Sequence, residues 1–262
     1  VGNLSVSHNS GFFSCSSVAL RQLIEYFNFN MSLPEHFDRS HQYLNYKTED
    51  SIDLSKIYFC GENDSNISYN RNVSFTNEDR EDQFSNYKNI NFEDIIPFIR
   101  RYFWPSQIIQ DRIDFFVKKY DIDLQNTCAV FYRGNDKSTE TKIAPYEHFI
   151  SKTKKVLEGN PNLKLFLQTD EIEFMEEFMS HFSNRATYLQ EVDMMGKNGN
   201  GCVFYNIPKE RRYQNGIDYL SAVVMVSRCS HVITHSGNGG MWSVLYRGNA
   251  ERVYQVLYDE WI

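Results

Sequence analysis

The chain has 262 residues, 41% of them hydrophobic and 23% charged, with a formal net charge of −7. That length allows one large domain or two smaller ones, and the composition is that of a globular chain able to bury a core. The acidic balance argues against a nucleic-acid binder, which carries a basic footprint, and no apolar run is long enough to predict a membrane span.

The five cysteines (Cys15, Cys60, Cys128, Cys202 and Cys229) are widely spaced, with no C-x-x-C pair. This pattern predicts neither a structural zinc site nor a disulfide framework, and it fits a reducing, cytoplasmic compartment. The opening Val1–Val6 lacks the basic and long apolar regions of a signal peptide. Abundant Asn, Tyr, Phe, Ile and Lys fit the coding bias of an AT-rich genome, a viral one included. Sequons at Asn3, Asn30, Asn63, Asn66 and Asn72 read as chance products of that Asn- and Ser-rich composition.

In chain order, Leu4–Ser7 reads as a short strand followed by the turn His8-Asn9-Ser10-Gly11. A helical period then carries Val18, Leu20, Ile24 and Phe27 onto one broad face. This strand, glycine loop and helix form the opening unit of a Rossmann-like layer. Lys56–Cys60 is a second strand candidate, and Gly61–Asn91 reads as a long polar surface excursion. Phe92–Phe103 and Ile108–Tyr120 are predicted helices, separated by Trp104-Pro105-Ser106.

Beyond Asp121 the pattern becomes regular. Predicted strands are Cys128–Tyr132, Leu163–Gln168, Ala186–Leu189, His231–Thr234 and Arg252–Val256. They alternate with helices Tyr146–Leu157, Ile172–Phe182, Ile217–Ser227 and Gly240–Tyr246, and a loop rich in glycine and asparagine covers Met195–Gly201. Such alternation implies a mostly parallel, doubly wound sheet. The expected fold is α/β, with two Rossmann-like halves, 1–121 and 122–262, facing a cleft.

Three strand ends carry ligand chemistry: Arg133-Gly134-Asn135-Asp136-Lys137, Gln168-Thr169-Asp170-Glu171, and Thr234-His235-Ser236-Gly237-Asn238-Gly239-Gly240. Parallel strands bring their carboxyl ends to one edge, so the three sets should meet in one crevice. Arg133 and Lys137 suit a phosphate. The last set leads into a helix N-terminus, where amides and the helix dipole favour an anion. There Gly237, Gly239 and Gly240 permit close backbone approach, and Ser236 and Asn238 can donate or cap. Asp170 and Glu171 also serve as ordinary helix-start acids, and Lys209-Glu210-Arg211-Arg212 as a solvated charge run that offers Arg212 as a further cation. Asp121-Ile122-Asp123 precedes a strand instead of ending one, so its likeness to a metal-binding D-x-D signature is taken as chance.

With these residues in view, the chain resembles the fucosyltransferase-like branch of the GT-B glycosyltransferases, the α-1,6-fucosyltransferases and their nodulation-factor relatives. Phe131-Tyr132-Arg133-Gly134-Asn135-Asp136-Lys137 stands in place of a strand end like H-V-R-R-x-D-K, with Gly134 where the family has a second arginine. Thr169-Asp170-Glu171 matches a later T-D-D-like strand end, and Thr234-His235-Ser236-Gly237 a T-F-S-S-like one. Asn9-Ser10-Gly11-Phe12-Phe13 looks like the family's first glycine loop, an acceptor or phosphate loop. Thr234-His235-Ser236-Gly237-Asn238 is also similar to the T-H-x-G motif of uridine-sugar transferases, whose histidine and amides hold the donor phosphate.

The resemblance implies transfer of a sugar from a nucleotide-diphosphate sugar, GDP-fucose-like or a UDP-sugar such as UDP-xylose, to a glycan hydroxyl, with inversion and without a metal or other cofactor. It places the catalytic acid within one residue of Glu140. Asp136 and His8 are further candidates for the general base, and Asp218 and Ser221 for contacts to the donor ribose. The competing readings are a non-catalytic nucleotide- or carbohydrate-binding domain and a nicotinamide-dependent enzyme. The latter is disfavoured because no G-x-G-x-x-G follows the first strand.

Overall fold

The computed structural model describes residues 2–49, 52–61, 68–70, 72–75, 82–197 and 203–262. The chain opens with β1 (Asn3–Ser5), the loop 6–11 and α1 (Phe12–Asn30). Phe12, Ser16, Ala19, Leu23 and Phe27 recur three or four residues apart and give α1 its buried stripe. The helix stops where Met31 turns left-handed at φ 54° and returns its amide to the Phe27 carbonyl. β2 (His36–Asp38) pairs parallel with β1.

Residues 56–58, expected as the start of a strand, lie instead in the short helix α2 (Leu54–Tyr58). Asp53 caps it, its carboxylate accepting from the Ser55 amide at 3.1 Å, so a local cap overrides the β-prone side chains. Only β3 (Phe59–Cys60) remains extended, paired antiparallel with β4 (Trp104–Pro105), which lies between α3 (Phe92–Tyr102) and α4 (Gln107–Tyr120).

The described residues of 1–121 therefore do not build a second Rossmann-like sheet. Their strands are two or three residues long and pair only with one another. The expected surface excursion 61–91 also differs where it is described. Val73 is buried, its amide and carbonyl both held by the Asn28 side chain, and Tyr87 is 1% exposed. Sequon residues Asn63 and Asn66 lie outside the described residues.

From residue 127 the alternation is as expected. β5 (Thr127–Tyr132), α5 (Tyr146–Gly159), β6 (Lys164–Thr169), α6 (Ile172–Phe182) and β7 (Ala186–Tyr188) are followed by α7 (Arg212–Arg228), β8 (His231–His235), α8 (Asn238–Arg247), β9 (Val253–Leu257) and β10 (Glu260–Trp261). The strand order is β10-β9-β8-β5-β6-β7, parallel except for the antiparallel edge strand β10. β5 is central and buried throughout, as an apolar run covered on both faces should be. Cys128, Val130 and Tyr132 face a core shared with Phe149, Ile150, Phe174 and Phe178 of α5 and α6. Ala129 and Phe131 face a second core with α7 and α8. That second core continues without a break into Leu20, Leu23, Phe98, Ile113 and Phe116 of α1, α3 and α4, so the expected halves share apolar packing across residue 121.

α7 begins five residues before the expected Ile217. Gly216, a breaker in sequence terms, lies inside the helix because its bare Cα leaves room for the Tyr58 hydroxyl. Met195 forms an isolated parallel bridge with Glu171, and 198–202, the rest of the expected loop, lies outside the described residues. Among the described residues, no helix is long and apolar enough to cross a membrane.

Candidate active site

The strand order reverses between β5 and β8, since the chain runs β5-β6-β7 one way and β8-β9 the other. Open α/β sheets bind ligands at the carboxyl side of such a switch point, where diverging connections leave a crevice. A cavity of about 380 Å³ lies there, walled by the ends of β5, β6 and β8 and by the loop before α1. The first turns of α1 (Phe12 to Ser14) and α8 (Asn238, Gly239) both reach it. Two helix dipoles thus point their positive ends at one space, which favours an anion. Ser17 locks the two helices together, donating to Asn238 Oδ1 at 2.6 Å and accepting from Trp242 Nε1 at 2.9 Å.

Arg133 and Lys137 both line this cavity. Arg133 Nε lies 3.3 Å from Asp170 Oδ2, and Asp170 Oδ1 accepts from the Gly134 amide at 2.9 Å, so the second strand end orients the first. Lys137 is 8% exposed and donates to Glu140 Oε2 at 2.5 Å and to Gln83 Oε1 at 3.2 Å. The departure at Gly134 has a steric cause. Any side chain there would meet the carboxylate of Glu171, itself buried and held by the Asn135 amide at 3.0 Å and by the Tyr146 hydroxyl. Burial pushes the Glu171 carboxyl upward. A second arginine has no room at this position.

His235 is 7% exposed and sits at the cavity wall. Its Nδ1 lies 3.1 Å from the Phe131 carbonyl, which can only accept, so Nδ1 carries the proton. Burial lowers the imidazole pKa to about 3 against the Phe131 hydrogen bond, with Arg133 and Lys137 adding to the fall. Nε2 is then a bare lone pair, and it finds no hydrogen-bond partner among the described residues.

The α8 N-terminus is already occupied by residues that sequence reasoning missed. Gln83 Oε1 accepts from the Asn238 amide and side chain, both at 3.1 Å, as well as from Lys137. The Tyr87 hydroxyl accepts from the Gly237 amide at 2.9 Å. Gly237 is therefore spoken for and does not line the cavity. The glycines after it serve packing: a Cβ on Gly239 would meet the Phe131 ring at 2.9 Å, and one on Gly240 the His235 carbonyl at 2.5 Å.

Of the other expected residues, His8, Ser10, Gly11, Phe12 and Glu140 line the cavity. His8 Nε2 lies 3.0 Å from Ser14 Oγ, and burial, then Arg21, hold its pKa below the usual value. Asn9 faces outward and accepts from the Leu44 amide at 2.9 Å. Ser236 points into the sheet, donating to the Val256 carbonyl at 2.7 Å and accepting from Gln255 at 2.7 Å. Asp218, expected near a ribose, is instead buried between α4 and α7, 2.7 Å from Arg112 Nε; burial pushes its carboxyl upward. Ser221 is fully buried in α7, and Arg212 donates to the Ile207 carbonyl at 3.3 Å; neither lines the cavity. The side chain of Asp136 lies outside the described residues.

Asn215 and Tyr219 of α7, four residues apart on one face, line the cavity where Asp218 and Ser221 were expected. A helix start placed at Arg212 would have exposed that face. Asp193, also at the wall, accepts from Asn215 at 3.0 Å and lies 3.2 Å from Arg211. It follows the parallel strand β7, a fourth strand end that the sequence offered. Nothing in the local pattern marks Gln83 or Tyr87.

No family model matches the sequence, and no curated protein does. Among solved structures, the chain is similar to NodZ alpha-1,6-fucosyltransferase co-crystallized with GDP, at 14% identity and a TM-score of 0.42, covering 63% of this chain and 48% of that one. It is also similar to NodZ alpha-1,6-fucosyltransferase soaked with GDP-fucose, at 14% identity and a TM-score of 0.41, covering 65% and 52%. The chain spans about half the length of these solved structures.

Proposed function

We propose that this protein is a glycosyltransferase that moves a sugar from a nucleotide-diphosphate sugar, GDP-fucose-like or a UDP-sugar such as UDP-xylose, to a glycan hydroxyl. The observation that carries this reading is the meeting of Arg133, Lys137 and the α8 N-terminus at the switch-point cavity, with Glu140 and His8 on its walls. The diphosphate takes the place of Gln83 Oε1, which now gathers the Lys137 ammonium and the Asn238 amide. The acceptor oxygen attacks the anomeric carbon and its proton passes to a base. The bond to the diphosphate breaks, and the departing nucleotide keeps the electron pair. Arg133, Lys137 and the helix end stabilise that charge, so transfer proceeds without a metal.

Glu140 is the proposed base, released as Lys137 turns to the phosphate. A specific observation favours His8 as the second reading: its lowered pKa keeps the imidazole neutral, and so able to accept a proton, at neutral pH. A titration of the wild type with GDP, UDP, GDP-fucose and UDP-xylose, in EDTA, tests the site; Arg133→Ala should weaken whichever binds about tenfold or more. Glu140→Gln should keep donor affinity and lower transfer by about 10²–10⁴-fold. If His8→Ala does this instead, and the wild-type rate falls with a histidine-like pKa on acidification, the base is His8. Binding by both Glu140→Gln and wild type, with transfer by neither, leaves a non-catalytic nucleotide-binding domain.

A further inference from the structure

The buried face of His235 is at odds with the phosphate-holding role that its T-H-x-G surroundings imply. A histidine that grips phosphate must donate, from an imidazolium or from an N–H aimed at the anion. Here the single proton of the neutral ring is committed to the Phe131 carbonyl at 3.1 Å. The nitrogen left without a proton is Nε2, buried and unpartnered among the described residues, on a ring that lines the cavity. A Cβ on Gly237 would stand 2.8 Å from it, which places Nε2 beside the turn into α8 and close to the Lys137 stem. A phosphate oxygen brought to Nε2 would set lone pair against lone pair.

We propose that His235 Nε2 accepts a hydrogen bond from a hydroxyl of the bound nucleotide sugar, and so selects a hydroxylated ligand at the position beside the diphosphate. This rests on the nucleotide-sugar reading above. The hydroxyl belongs either to the ribose or to the transferred sugar; the chemistry at Nε2 is the same. The charged groups facing the ring are Arg133 and Lys137, each beside its own carboxylate, Asp170 and Glu140. Both cations oppose ring protonation, so the acceptor role should persist across the physiological pH range.

Isothermal titration of wild type, His235→Phe and His235→Gln with GDP, UDP, GDP-fucose, UDP-xylose and the 2′-deoxy and 3′-deoxy diphosphates tests this, run between about pH 6 and 8 in Tris and in PIPES. Wild-type binding should take up no proton, giving the same enthalpy in both buffers. His235→Phe should weaken binding by about 5–20-fold, and His235→Gln, which can still present an acceptor, by less. A loss confined to the nucleotide sugars assigns the hydroxyl to the transferred sugar; a loss shared by GDP or UDP but absent for one deoxy form assigns it to the ribose. Proton uptake, with affinity climbing as pH falls, would identify a phosphate-gripping imidazolium and overturn the proposal. So would unchanged affinity of both folded variants for every ligand, while leaving the nucleotide-sugar reading intact. Failure of the wild type to bind any of these ligands would sink both.

Discussion

At Gly134 the absence of a side chain is a packing requirement. The Glu171 carboxylate fills the space above it and cannot swing aside without leaving the Asn135 amide and the Tyr146 hydroxyl. Gly134→Ala should therefore destabilise the fold by about 1–3 kcal/mol, the usual cost of overpacking a filled site. Urea unfolding measures this, and an unchanged midpoint would mean that Glu171 is free to move. At the same scale, the two cations at the site differ in how they are held. Arg133 is aligned by the neighbouring strand end, through Asp170, whereas Lys137 is gathered by Glu140 and Gln83 from its own turn and from the distant segment 82–84. The Asp170 contact follows from parallel pairing of β5 with β6, so it was legible once the strands were recognised. The Gln83 contact spans 54 residues of sequence, and no pattern announces it.

Among elements, α8 shows most plainly how a helix start is built by tertiary contacts. It has no side-chain cap of its own, because Gly237 precedes it. Tyr87 and Gln83, from the short turns at 82–84 and 87–89, supply the missing acceptors for the Gly237 and Asn238 amides. Tyr87→Phe would leave the buried Gly237 amide unpaired, at a cost of about 1–3 kcal/mol of unfolding free energy. Hydrogen exchange should locate that loss: faster exchange at Gly237, with β6 unaffected, is the expected pattern. Uniform acceleration over the whole sheet would show that Tyr87 supports the core at large. α7 carries the complementary lesson. The start expected at Ile217 falls beyond its first turn and beyond Asn215, and so misses the face that brings Asn215 and Tyr219 to the cavity.

Over the whole molecule, histidine protonation should set the acid limit of stability. The pKa values of His8, His231 and His235 are all lowered in the folded chain, chiefly by burial. The unfolded chain takes up protons near 6.5, where the folded chain does not, so stability is fully present above that pH and falls as pH drops toward the folded value of about 3 for His235. For His235 alone the loss between pH 7 and 5 is roughly 2 kcal/mol, from an unfolded pKa of 6.5. Urea unfolding at several pH values measures the slope. His235→Phe should flatten it over that interval, and an unchanged slope in that variant would refute the assignment to His235.

The regular half of the fold was legible because its signals are local and redundant. Mostly apolar runs, of five or six residues in four of the five strands, end in polar or glycine-rich turns and alternate with helical periods from Thr127 to Leu257, and parallel pairing then brings the strand ends to one edge. That reasoning sufficed to place Arg133, Lys137, Asp170, His235 and Asn238 around one cavity from sequence alone. The first half was not legible in the same way. Its strands are too short to set a period, and its helices are held by a core continuous with that of the second half. Tertiary structure alone decided that Asp218 would serve Arg112 and that Ser236 would turn into the sheet, since helix rotation and strand facing select one side of each element. It also decided the state of His235: the sequence specified an imidazole, while the Phe131 carbonyl and burial determined which nitrogen carries the proton and left the other as a buried acceptor on a ring that lines the cavity.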